Sequence, residues 1–153
     1  MKKVILALVL ALSAVFATNT MLYVDLDKVI DSVDFAEMVG DEVKFSFGSG
    51  SKEKAIASAK SRSRVKIGRE KERFAKSLSG KAYQFSEIEV ACGFALLENL
   101  ADLKAQTQRV GGTKAINIIS YYTKSEQKDS KDSFLCYVGK RKVGVKLQAD
   151  IAK

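Results

Sequence analysis

A chain of 153 residues with two cysteines and no histidine, proline or tryptophan lacks both the commonest general base and the commonest metal ligand. Two thiols without an imidazole do not complete a tetrahedral zinc site, so neither a metal nor a cofactor is expected. The formal net charge of +8 is spread unevenly, with a net −5 over residues 18–50, +8 over 51–81 and +3 over 82–153.

The chain opens on Lys2 and Lys3, continues with an apolar run from Val4 to Leu12, and reaches the small-residue ending Val15-Phe16-Ala17. That order is the signature of a secretory signal peptide over residues 1–17, too short for an ordinary membrane span. No cysteine follows the apolar run, which argues against a lipid-modified start. We therefore expect cleavage near Ala17, a periplasmic or secreted protein without a transmembrane segment, and one domain over residues 18–153. A domain of that length buries about two thirds of its unfolded surface.

Asp31-Ser32 is placed to cap a short helix running to about Val39, with Val33, Phe35 and Met38 as its apolar residues. Val43-Lys44-Phe45-Ser46-Phe47 alternates with period two and reads as a strand with Val43, Phe45 and Phe47 inward, ended by Gly48-Ser49-Gly50. Residues 61–68 alternate again, Val65 and Ile67 inward and Arg64 and Lys66 outward; Lys52 to Lys60 either extends this strand or forms a helix. Arg69 to Lys81 is charged and carries few apolar residues beyond Phe74 and Leu78, so it reads as a mobile loop or an exposed extension.

The clearest element begins at Ser86, where Ser86 and Glu89 have capping-box spacing. A helix should run from Ile88 to about Gln108 with a broad Ala- and Leu-rich face, and Gly111-Gly112 should end it. Ala115 to Tyr122 and Ser133 to Val138 read as strands joined by a polar connection, and Val143 to Ile151 alternates as a third after the turn Gly139 to Lys142. The expected fold is α+β: one long helix packed on a mostly antiparallel sheet of about four or five strands, with a short N-terminal helix.

Cys92 falls in the first two turns of the long helix and Cys136 in a strand that should lie beneath it. A disulfide would close a loop of about 45 residues and restrict the unfolded chain by ~4 kcal/mol. Two buried free thiols are an alternative. A redox-active thiol would want a Cys-x-x-Cys pair, which is absent.

Four stretches together carry a resemblance: Val43 to Gly48, Val90 to Leu96, Gly111 to Tyr122 and Phe134 to Gly139. The chain resembles small secreted bacterial proteins often mislabelled as excinuclease ATPase subunit-like. In fold pattern it resembles, more distantly, the Rcs stress-sensing outer-membrane lipoprotein and the YbjQ-like proteins. The first resemblance implies no enzymatic role. The lipoprotein's anchoring cysteine has no counterpart here, and a basic Lys140-Arg141-Lys142 stands where the small turn is usual. The ATPase label requires a phosphate-cradling Gly-x-x-x-x-Gly-Lys-Ser/Thr loop, which the chain lacks.

No serine stands in a Gly-x-Ser-x-Gly context. Asp25 and Asp27 would share a face if they lay on a strand, whereas Glu87 and Glu89 suit the start of a helix. The leading expectation is a non-enzymatic envelope protein that binds another protein or an anionic polymer or lipid, and not nucleic acid, through a basic surface. The candidate patch is Lys60, Arg62, Arg64, Lys66, Arg69, Lys71, Arg73 and Lys76, with Lys140, Arg141 and Lys142 as a second patch. Tyr121, Tyr122 and Tyr137, near that second patch, would supply an aromatic surface for a glycan or a partner. The alternatives are a periplasmic hydrolase with a Ser–Lys or carboxylate site and a stress sensor that depends on its disulfide. Self-association through an exposed sheet edge is also open to such a fold.

Overall fold

In a computed structural model, which describes residues 20–153, the chain alternates short strands and helices around one long helix. In order these are β1 (Thr20–Asp25), α1 (Leu26–Ile30), α2 (Val33–Met38), β2 (Lys44–Phe47), β3 (Ala57–Lys66), α3 (Glu87–Arg109), β4 (Lys114–Tyr121), β5 (Gln127–Lys128), β6 (Ser133–Val138) and β7 (Lys142–Ala152). The expected signal peptide lies outside the described residues. The class is α+β, and among the described residues no helix is long and apolar enough to cross a membrane.

Helix α3 forms where the sequence places it. The Ser86 hydroxyl accepts from the Glu89 N–H at 3.1 Å while the Glu89 carboxylate takes the Ser86 N–H at 3.3 Å, satisfying two amides that the first turn leaves open. Gly111, at φ +74°, turns the chain out of the helix. Its apolar side, from Val90 and Ala91 through Leu96, Leu100 and Leu103, is buried.

The sheet has seven strands and is curled and mixed. β7 is its centre: β3 pairs antiparallel along its whole length, Lys66 with Lys142 through Ala57 with Ile151. β4 and β6 therefore share the other edge, β6 at Val143 and Gly144 and β4 from Leu147 onward. β1 adds outside β6, and β2 adds outside β4 in parallel. The odd positions of β7, Val143 to Ile151, are buried under α3 with Ala59, Ser61 and Val65 of β3. Asn99, also buried, donates from α3 to the Val145 carbonyl at 3.0 Å. The even positions face the other way.

A bulge interrupts β4 at Asn117, which sits at φ +51°, a conformation asparagine tolerates better than most residues. The register shifts there against both neighbours. Its side chain holds the distortion, donating to Asp150 Oδ2 and accepting from the Ser51 N–H, each at 3.0 Å.

Three features differ from expectation. Among the described residues the expected, mostly antiparallel sheet is extended to seven strands, because Thr20–Asp25 and Gln127–Lys128 also pair. Asp25 ends a strand and Asp27 lies in α1, so they do not share a strand face. The segment after β3 is not a free loop: Phe74 is 6% exposed, its ring stacked on Phe85 at 5.1 Å. Arg73 binds Glu70 at 3.0 Å and Asp34 at 3.2 Å, and Ser77 bridges to Ser32. One aromatic side chain with a receptive groove outweighs the polarity of its neighbours. Cys92 and Cys136 form a disulfide with Cα atoms 5.9 Å apart, joining α3 to β6.

Three surface carboxylates are held below their ordinary pKa. Asp31 is lowered first by the Ser79 hydroxyl and also by the Tyr83 hydroxyl and the Ser79 N–H. Glu42 is lowered by the Lys104 ammonium, and Asp129 by the hydroxyl and N–H of Ser49. A folded pKa below the unfolded value gives stability that is present above the unfolded value and lost as pH falls through the folded one. We expect the melting temperature to drop progressively below about pH 4. Asp31→Asn should flatten that acid limb; a slope identical to wild type would remove Asp31 from this account.

Candidate functional site

The uncovered face of the β3–β7 ribbon carries the charge. Its register sets Arg62 opposite Lys146 and Lys66 opposite Lys142, with Arg64 opposite Gly144. Like charges directly across a strand pair destabilise it, so sheet stability does not explain this pattern. The turn from β6 to β7, closed by the Gly139 N–H on the Lys142 carbonyl at 2.9 Å, brings Lys140 and Arg141 to the same end.

These residues bound a groove of about 710 Å³ lined, among the described residues, by six cations (Arg62, Arg64, Lys140, Arg141, Lys142 and Lys146) and by no carboxylate. None of the six belongs to an ion pair among the described residues, whereas Lys28, Arg69, Arg73, Lys104 and Lys114 do. The floor includes Leu135 and Gly144. Gly144 is not required by its backbone: its φ is not positive, and an added Cβ would meet only ordinary contacts, Ser63 O at 3.7 Å and Arg64 Cγ at 3.9 Å. Its missing side chain leaves the groove open.

One wall is aromatic. Tyr122 and Tyr137 stack face to face, centroids 4.6 Å apart and planes 5° from parallel. Lys146 Nζ lies 5.3 Å from the Tyr122 centroid and 5.9 Å from that of Tyr121, and donates to the Tyr122 carbonyl at 3.3 Å. Burial, followed by the facing Tyr122, holds the Tyr137 hydroxyl above its ordinary pKa, while Arg64 pulls it the other way. Tyr137 thus remains a neutral hydrogen-bond donor across physiological pH.

The candidate residues separate on this frame. Lys60, Arg62, Arg64 and Lys66 all point outward from β3; Arg62 and Arg64 line the groove, and Lys66 stands opposite Lys142. Arg62 and Arg64 of the first patch and the Lys140 to Lys142 turn thereby meet at one site with all three tyrosines. Arg69, Lys71, Arg73 and Lys76 do not line it. Arg73 and Arg69 face acidic partners, at 3.0 Å and 3.9 Å from Glu70, and the Lys76 carbonyl is taken by the Val33 N–H. Lys146 was absent from the expected patch. Its signal was its place in the alternation Val143-Gly144-Val145-Lys146.

Further along the same face lies a second cavity of about 420 Å³, lined by Ser58, Lys60, Asn117, Gln148 and Asp150 among others. Among the described residues no serine hydroxyl hydrogen-bonds a lysine ammonium, and no three metal-ligating side chains converge. Comparison of the chain with protein-family models, with curated proteins and with solved structures returns no match.

Proposed function

We propose that the protein is a non-catalytic binding module for an anionic envelope component, held in the groove between β3, β7 and the β6–β7 turn. The observation that carries this reading is the convergence on one aromatic-walled face of six cations that, among the described residues, have no ion-pair partner and no carboxylate beside them in the groove. Such a cluster repels itself until a counter-charge arrives. The disulfide is compatible with a periplasmic or secreted setting.

The test uses washed cell envelopes as the probe. Wild-type protein should co-sediment with them, and the quadruple reversal R62E/R64E/K142E/K146E should reduce the bound fraction about tenfold or more. Retention should also fall as salt is raised from 0.05 to 0.5 M (a range set for the assay,). Reversal of Lys71 and Lys76, which do not line the groove, should leave binding unchanged. Equal retention of the quadruple variant would overturn the reading.

A further inference from the structure

We infer that the ligand is an acidic oligosaccharide laid along β3 and β7, its charged sugar in the basic groove and its neutral sugars over the second cavity. The inference rests on the binding reading above and adds the ligand's chemistry. Residues of β7 at 144, 146, 148 and 150 and of β3 at 64, 62, 60 and 58 occupy successive outward positions of two paired strands. The two cavities are therefore stations on one track, and the six steps from Gly144 to Asp150 span roughly 20 Å at ~3.3 Å each. That length suits a short chain of sugars and exceeds any single one.

Chemistry changes along the track. At the groove end there are cations and tyrosine side chains; the Tyr137 hydroxyl and the guanidinium groups of Arg62 and Arg64 are placed for the carboxylate or phosphate of an acidic sugar. At the far end, among the described residues, there are two amides, Asn117 and Gln148, serine hydroxyls and one carboxylate, Asp150, fixed by Asn117 at 3.0 Å. Among the described residues Lys60 is the one cation there. A carboxylate beside amide and hydroxyl groups suits sugar hydroxyls, which donate to it. It opposes a ligand charged at every unit, such as a polynucleotide or polyphosphate, whose anions would face Asp150.

The test is calorimetric titration of the intact protein with four probes: glucuronate, an uncharged xylo-oligosaccharide, the same oligosaccharide bearing one glucuronic acid at its end, and oligogalacturonate of equal length. The singly acidic oligosaccharide should bind about tenfold tighter than glucuronate or the uncharged oligomer. Gly144→Leu, filling the floor, should abolish that advantage; Gly144→Ala should fold normally and serve as the control for the backbone. Asp150→Asn retains an acceptor for Asn117, and should improve oligogalacturonate binding severalfold while weakening the singly acidic oligomer, whose hydroxyls lose the carboxylate they donate to.

Equal affinity for glucuronate and its oligomer would overturn the track. Tightest binding to a single-stranded oligonucleotide or to phosphatidylglycerol vesicles would overturn the assignment to a glycan. If no sugar binds while envelope retention stays groove-dependent, the glycan fails and the broader reading survives. Retention that ignores the groove sinks both.

Discussion

Replacing Cys92 and Cys136 together by alanine should lower the melting temperature by about 15 °C, the thermal equivalent of roughly 4 kcal/mol for a domain of this size. The sequence separation is 44 residues, and closing a loop of that length removes much of the unfolded chain's freedom. The topology makes this tie consequential. β6 is paired to β7 through only two positions, Tyr137 with Gly144 and Val138 with Val143, yet it carries the whole of β1 on its other edge. The covalent link to α3 anchors that two-stranded flap to the core. Scanning calorimetry of the double variant, and of wild type with and without reductant, checks the effect; coincident melting curves would show that the link is dispensable. Amide exchange in β1 and β6 should rise more than in β3 and β7.

Phe74→Ala should cost about 3 kcal/mol, the usual loss for truncating a buried aromatic. The ring fills a seat made by a residue with no side chain: a Cβ on Gly93 would lie 2.9 Å from Phe74 Cε2 and Cζ. The backbone of Phe74 is itself at φ +64°, which costs energy for a non-glycine residue; its N–H donates to the Asp34 carboxylate at 2.9 Å. Truncation keeps that strained backbone and removes the burial that offsets it. Urea unfolding monitored by circular dichroism measures the loss, and limited proteolysis should then cut within residues 69–81. A loss below about 1 kcal/mol would place the ring outside the core. Arg73→Ala should be milder, since its side chain is 37% exposed and ion pairs at that exposure contribute little.

Local signals were legible in the sequence and long-range ones were not. Helix α3 announces itself through Ser86, Glu89 and Gly111, all within its own stretch of chain. β7 announces itself through strict alternation from Val143 to Ile151. β1 does not, because only Val24 of its six residues is buried, so little apolar rhythm survives. Phe74 stands alone in a charged run, and nothing nearby shows that Gly93 opens a seat for it. The candidate site divides in the same way. Arg62, Arg64 and the Lys140 to Lys142 turn are conspicuous as separate basic stretches. Their union, the inclusion of Lys146 and the exclusion of Arg73 follow from the β3–β7 register and from where Glu70 and Asp34 come to lie.

The central place of β7 bears on how the chain acquires its shape during synthesis. β3, β4 and β6 are all made before residues 142–152, and β7 is the strand that joins the three; β4 also pairs with β2, and β6 with β1. A chain lacking β7 can form α3 and the separate β1–β6 and β2–β4 pairs, but nothing joins those pairs to β3 in one sheet, because contacts of long sequence separation carry it. Assembly of the whole sheet thus waits on β7, which closes three ladders in a single cooperative step.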